Sequence, residues 1–314
     1  MLSLDFELVW GSRDLYDPIE PLLAQARVTR ESVFDPLLNT LTRLGLRATW
    51  ATVGHLFLES ARREGGRLHP DLVQPRHSWH PRPWFEAVPA GDEVSHPEYY
   101  ARSLVLRLKE AGQEVGSHSF SHPIFGDPGC SRQVADTELA ACVREAKALG
   151  IELRSFVFPR NVEGHLDLLA RHGFRCWRGP APDWYRTAPL PQSVGRVGHL
   201  AQVLAATGPP MVMPIAGPHG LWNIPASASY LPSDGPRRAI PVQRRVERAM
   251  AGLRAAEKSG KIFHFWLHPI NLAAHTRPML AGLVEILEQA ARLRDQGKLD
   301  IQTMGEVADS APWS

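Results

Sequence analysis

The chain opens on strict alternation. Leu2, Leu4, Phe6 and Leu8 fall on one side, and Ser3, Asp5, Glu7 and Val9 on the other, which is the period of a strand. The period then lengthens. Val33, Leu37, Leu38, Leu41 and Leu44 recur at helical spacing over 31–45, and Gly45 closes the run. Residues 47–54 read as a second strand, so the order is strand, helix, strand, which argues for parallel pairing and an α/β fold. Further helices are predicted at 98–111, 131–149 (Ser131 as N-cap, Gly150 past the end), 163–172, 241–258 and 277–296. Strands are predicted near 114–116, 155–158 and 174–177, in short pieces around 211–215 and 221–225, and at 261–268 and 299–303. A total of about seven or eight strands alternating with helices favours a βα barrel over two open sheets.

Two stretches break this rhythm. Residues 60–97 are rich in Pro, His and Trp, too long for an ordinary connection, and read as a cap over a site or as a homo-oligomer contact. Residues 178–238 form a second, Pro/Gly-rich insertion with little regular structure. The whole of 1–314 is otherwise one domain.

Composition narrows the classes. A net charge of +2, with both signs mixed along the chain, gives no nucleic-acid arm and no polybasic membrane patch. No apolar run is long enough for a membrane span. The N-terminus enters the first strand almost at once, without a charged leader, which predicts a cytoplasmic protein. Three cysteines, Cys130, Cys142 and Cys176, are odd in number and widely spaced, which suits a reducing compartment.

The chemistry gathers at predicted strand ends. His118 and His122 stand four apart after the run Glu114–Gly116, and Pro123 keeps His122 out of the helical region. One tight turn brings both imidazoles to one side, where they can share a metal ion. In a chain with 14 His such a pair also arises by chance, so the context decides. Asp5 and Glu7 point the same way at the end of the first strand. Alone they read as a solvated face; beside a histidine pair they read as a metal ligand and a general base. Arg160 and His268 also fall at strand ends, and in a βα barrel that rim carries the chemistry. His264, between Phe263 and Phe265, reads as a satisfied core histidine, His165 and His172 as structural, and His55 as either site or packing.

These segments resemble the polysaccharide deacetylase family, the NodB-homology carbohydrate esterases. Ser3-Leu4-Asp5-Phe6-Glu7 is similar to the family's first motif, His118-Ser119-Phe120-Ser121-His122 to its metal motif, Phe158-Pro159-Arg160-Asn161 to its arginine motif, and Leu267-His268-Pro269 to its late histidine motif. Within the family the chain is most similar to the WbmS-like branch, associated with bacterial surface polysaccharide synthesis. The resemblance implies a distorted (β/α)7-type barrel and one divalent ion, zinc first, with cobalt, nickel or iron as alternatives. It implies Glu7, His118 and His122 as metal ligands, Asp5 as base, Arg160 paired with Asp5, and His268 as acid. The usual first motif ends in two adjacent aspartates; Phe6 replaces the second, so Glu7 takes the ligand role, and the two carboxylates could exchange roles. Asn161 stands where a small residue or Pro is expected, and Asp183-Trp184 is the best match to the motif that orients the late histidine. Trp10, Trp79 and Trp84 are candidates for stacking on sugar rings.

The implied activity is removal of an N-acyl group, most simply acetyl, from a sugar or sugar conjugate. The missing leader predicts an intracellular precursor, nucleotide-linked or lipid-linked. Two other readings stand beside it: a catalytically silent carbohydrate-binding barrel, kept open by the altered first motif, and a different C–N hydrolase on the same scaffold.

Overall fold

The computed structural model describes residues 1–182 and 208–310. In chain order the elements are β1 Leu2–Phe6, α1 Glu20–Val28, α2 Phe34–Arg43, β2 Thr49–Thr52, the short strands β3 Ser60–Ala61, β4 Arg63–Glu64, β5 Arg67–Leu68 and β6 Gly91–Asp92, then α3 Arg102–Glu110, β7 Glu114–Ser117, α4 Arg132–Ala148, β8 Ser155–Val157, α5 Leu166–Arg171 and β9 Cys176–Arg178. Within the stretch 178–238 lie β10 Ile215–Ala216, β11 Trp222–Asn223 and β12 Ala228–Ser229, which belong to the main sheet, and after it come α6 Val242–Ser259, β13 Phe265–Leu267, α7 Thr276–Asp295 and α8 Met304–Asp309.

Nine of these strands form one sheet in the order β10-β11-β9-β8-β7-β2-β1-β13-β12. Every neighbouring pair is parallel except β10 and β11. The sheet curls into a half-barrel carrying helices, which is the distorted (β/α) architecture that the alternation predicts. Strand β1 is an interior strand, with Leu4 opposite Leu267 on one side and Trp50 on the other. All five of its residues are buried, as expected of a parallel strand covered on both faces. Because the pairs are parallel, the carboxyl ends of β1, β7, β8, β9 and β13 meet at one rim.

The insertion at 60–97 contains two small antiparallel ribbons, β3 with β6 and β4 with β5. Its aromatic side chains turn inward: Trp84, Phe85 and Val88 join the main core. Three cysteines are buried and free, and no helix among the described residues is long and apolar enough to cross a membrane.

One predicted strand is absent. Residues 299–303 alternate, but among the described residues no strand pairs with them, and their last residue serves as a helix cap instead. Thr303 Oγ1 accepts from the Glu306 backbone N–H, and the Glu306 carboxylate accepts from the Thr303 N–H, a complete capping box. The Met304 N–H donates to Thr49 Oγ1 at 2.8 Å, which ties α8 to the base of β2. Substituting Thr303→Ala should lower unfolding free energy by about 1 kcal/mol in denaturant titration, with no change in the chemistry at the opposite rim.

Candidate metal centre

The histidine loop is built on β7. The His118 N–H donates to Thr52 O at 2.9 Å, carrying the β7–β2 ladder one residue past the strand. The chain then turns sharply, with Ser119 (φ 62°) and His122 (φ 66°) in the left-handed region. Pro123 bars the right-handed helical alternative at His122, and Ser119 Oγ accepts from the His122 N–H at 3.0 Å. Gly54 and His55 hold the far side of the turn, donating from their N–H groups to Ser119 O and Phe120 O. A Cβ on Gly54 would lie 2.9 Å from Cys142 Sγ and 3.1 Å from Phe120 Cα, so the loop can rest there only on glycine.

Sequence reasoning missed the residue that closes this loop. Glu138, fully buried on α4, accepts from the Phe120 and Ser121 N–H groups at 3.0 and 2.7 Å and from Ser121 Oγ at 2.5 Å. Burial pushes its carboxyl up to about 7, against the pull of those donors and of Arg13. The signal was available: Glu138 interrupts the buried stripe Val134, Ala135, Leu139 and Cys142, and an acid on an apolar stripe needs partners.

Glu7 follows β1, where Leu8 (φ 46°) ends the strand alternation. Its Oε2 lies 3.3 Å from His118 Nε2 and 3.4 Å from His122 Nε2. One ligand atom from each of the three side chains lies within 4.8 Å of the others, and all three residues are buried. His118 Nδ1–H donates to Val157 O at 2.7 Å, which leaves Nε2 with a free lone pair toward Glu7. Burial works against a charge on His118, but Glu7 and Asp5 overcome it and raise its pKa. Burial and the charge of its neighbours push His122 well down, so it is a neutral donor. Two imidazole nitrogens and a carboxylate oxygen at this spacing fit a divalent ion. Gly11 makes the carboxylate's position accessible, since a Cβ there would fall 2.0 Å from Glu7 Oε1.

Asp5 is held by a different arginine from the one predicted. Arg178, at the end of β9, donates to Oδ1 and Oδ2 of Asp5 at 2.6 and 2.7 Å, a bidentate pair shut off from solvent. Its guanidinium also lies 4.4 Å over the Trp266 ring. Arg178 donates to Ser3 Oγ (3.1 Å), Ser3 Oγ lies 2.9 Å from His264 Nε2, and His264 Nδ1–H donates to Pro225 O (3.1 Å). His264 is thus the satisfied core histidine that its setting predicts, and burial lowers its pKa to about 3. Burial alone would raise Asp5, but Arg178 first, then His268 and His118, hold its carboxyl well below the usual carboxylate range.

Arg160 does not pair with Asp5. It follows Pro159 with φ 53° and turns outward, donating to both oxygens of Asp14 at 2.7 Å. Asn161 does face the site, its Oδ1 accepting from Arg178 at 3.2 Å. His268 completes the cluster: Nε2 lies 3.5 Å from Asp5 Oδ2 and 3.7 Å from Glu7 Oε1, and the side chain is 26% exposed. Asn271 Nδ2 donates to His268 Nδ1 at 3.3 Å, which puts the ring proton on Nε2, toward the carboxylates.

The tryptophans divide. Trp10 is fully buried and donates to Tyr99 O; Trp84 is fully buried and donates to Ser121 Oγ and O. Neither offers a face to a sugar, because each completes the core beneath the histidine loop. Trp79 is 38% exposed, donates to Asp14 Oδ2, and sits beside Arg160 at the rim. Asp183 and Trp184 lie outside the described residues. His55 is packing, fully buried among Trp10, His69, Tyr100 and Phe120.

Residues 24–176 match the family model described as polysaccharide deacetylase, a span that includes His118 and His122. No curated protein matches the sequence. Among solved structures, a putative polysaccharide deacetylase from Mycobacterium smegmatis is 14% identical (TM-score 0.61; 98% of this chain and 89% of that one). A probable polysaccharide deacetylase from Pseudomonas aeruginosa PAO1 is 10% identical (TM-score 0.61; 98% and 90%). Puue allantoinase is 11% identical (TM-score 0.61; 100% and 92%). At these identities the likeness is one of fold.

Replacing Arg178→Met should cost about 3 kcal/mol or more at neutral pH, because a buried carboxylate loses its partner. In the variant, burial acts on Asp5 against only His268 and His118, and its pKa should rise above the unfolded value. The deficit should therefore grow with rising pH and shrink as Asp5 takes up its proton in acid. Denaturant unfolding of parent and variant at about pH 8 and about pH 5 measures this; an equal deficit at both would refute it.

Proposed function

We propose, for a chain whose residues 24–176 place it in the polysaccharide deacetylase family, that this protein is a metal-dependent hydrolase removing an N-acyl group, acetyl first, from a sugar or sugar conjugate. The observation that carries the proposal is the facing of two sets: Glu7, His118 and His122 on one side, and Asp5 and His268 on the other, with His268 Nε2 within 3.7 Å of a carboxylate oxygen of each acid.

An amide is a poor electrophile with a poor leaving group, so both ends need help. Glu7, His118 and His122 would hold a divalent ion, which would supply Lewis acidity toward the acyl carbonyl and a water molecule. Asp5, kept ionised by Arg178, accepts the proton of the attacking water. His268 Nε2 faces the reacting groups and, in the charged imidazolium form, would deliver a proton to the departing amine and return to the neutral ring. Arg178 orients the base, in the role that the motif resemblance gave to Arg160. Arg160, Asn161 and Trp79 stand at the rim as substrate contacts, with the half-exposed Trp79 ring suited to a sugar face. Imidazole and carboxylate ligands suit zinc, cobalt, nickel and ferrous iron alike; we assign zinc on ligand type. The similarity of the motifs to the WbmS-like branch supports a substrate from surface polysaccharide synthesis.

Elemental analysis of the purified protein should find about one divalent ion per chain, lost in His118→Ala, His122→Ala and Glu7→Gln. Asp5→Asn should keep the ion and lose turnover of N-acetyl sugars by about a hundredfold or more, the share of a general base. A metal-free parent after soaking in zinc, or an Asp5→Asn protein as active as the parent, would overturn the assignment.

A further inference from the structure

The insertion at 60–97 carries a cleft of its own. It is about 680 Å³ in volume, walled by the stretches 70–77 and 80–83 and by Arg67 of β5. That lies within the size range of small-molecule sites, about 300–1,000 Å³.

Its charge is one-sided. Arg67, Arg76 and Arg82 line it, and Asp71 is the one acid among the described residues of its wall. The Asp71 carboxylate faces Arg144 on α4, at 3.5 Å. None of the three lining arginines forms an ion pair or a side-chain hydrogen bond with a described residue. Arginines with a structural task in this chain show their partners. Arg63, in the same insertion, donates to the carbonyls of Gly66, Glu86 and Val88, and Arg160 at the rim donates to Asp14.

The wall is stiff. Four of its 13 lining residues are prolines, at 70, 75, 81 and 83, and a chain with fixed φ has little freedom to lose on binding. Leu72, on the same wall, belongs to the main core. The Arg76 backbone is anchored as well. Its N–H donates to Gly129 O at 2.8 Å, and a Cβ on Gly129 would fall 2.4 Å from Arg76 O, so only glycine lets the two segments meet there.

Direct contacts tie this cleft to the metal centre. His77 lies in the cleft wall, and its Nε2 accepts at 3.2 Å from the N–H of Ile124, two residues past His122. The same ring stacks on Trp79, with centroids 4.4 Å apart and planes 10° apart. Trp79 donates to Asp14, which holds Arg160 at the rim. One stacked pair of rings, His77 on the cleft side and Trp79 on the rim side, therefore stands between the cleft and the candidate site.

We infer that this cleft recognises an anionic group of the substrate, a carboxylate or phosphate carried one unit away from the acylated sugar, so that the enzyme acts on an acidic or phosphate-linked glycan in preference to a neutral one. A sugar ring lying on Trp79 would bring its neighbouring unit toward the arginines. Guanidinium groups suit both oxyanions, because two parallel N–H donors match two oxygens. Three like charges gathered in one cleft repel one another, and an anion relieves that repulsion. The acylated-sugar half of this rests on the deacetylase reading; the anion site rests on the cleft alone.

Isothermal titration of the full-length protein with three probes tests it. A hyaluronan tetrasaccharide carries N-acetyl groups and carboxylates, UDP-N-acetylglucosamine carries an N-acetyl group and a diphosphate, and tetra-N-acetylchitotetraose is neutral. At least one acidic probe should bind about tenfold or more tightly than the neutral one, and the advantage should shrink as salt rises. The doubly substituted Arg76→Gln, Arg82→Gln protein, altered at exposed side chains, should lose that advantage. Arg62→Gln, at an exposed arginine outside the cleft, should keep it. His118→Ala should keep it too, since the anion is held by the cleft and not by the metal. An advantage for the hyaluronan probe alone identifies a carboxylate, and one for the nucleotide sugar alone a phosphate. Acidic probes that bind no better than the neutral one, or an advantage that survives the double substitution, would overturn the inference; so would an advantage lost in His118→Ala alone. An arginine-dependent advantage in a protein that holds no metal and turns over no N-acetyl sugar would keep the anion site and remove only the deacetylase reading.

Discussion

Arg178 reaches Asp5 across the inside of the half-barrel, and both groups are closed to water. Either charge alone would cost several kcal/mol to bury there. Together, with Ser3, Asn161 and the Trp266 ring around the guanidinium, they are held in one geometry. The pair also joins two strands that are not neighbours, the end of β9 and β1, with β8, β7 and β2 between them in the sheet. Through Ser3 and His264 it continues to the chain before β13. Asp5 therefore stays ionised in a place where burial favours the neutral acid, and the carboxylate beside it, Glu7, is left free for the two histidines.

The rim separates groups of one chemical type by their surroundings. Glu138 is pushed up to about 7 by burial and used as an acceptor for a backbone turn. Asp5, equally buried, is pulled down by a guanidinium. Of the two loop histidines, one is raised by Glu7 against its burial, and the other is lowered by burial first and then by its cationic neighbours. Adjacent titratable groups thus take different protonation states, which acid–base chemistry on a single substrate requires.

Much of this was legible in the sequence, and the failures have physical causes. The β1 alternation, the amphipathic helices and the histidine pair before Pro123 depend on local periodicity and sterics, and each appears where the pattern puts it. The 299–303 strand was misread because alternation says nothing about whether a partner strand is present. Arg160 was paired with Asp5 on motif order alone; the left-handed turn after Pro159 sends it to Asp14, a contact of sequence separation 146 that no local pattern encodes. Arg178 went unnoticed for the same reason, since it closes an ordinary short strand. Trp84, between Pro83 and Phe85, looks like a surface aromatic in its Pro-rich context, yet the insertion folds inward and makes it core.

The insertion at 60–97 bonds directly to the histidine loop. Trp84 Nε1 donates to Ser121, and His77 Nε2, its Nδ1–H fixed on Asp127, accepts from the Ile124 N–H. The segment that meets the outside of the site is thus also a brace for the backbone carrying His122. Substitutions in this segment act on the brace as well, so the placing of His122 changes with them. Grafting the insertion from one relative to another would carry the geometry of His122 with it.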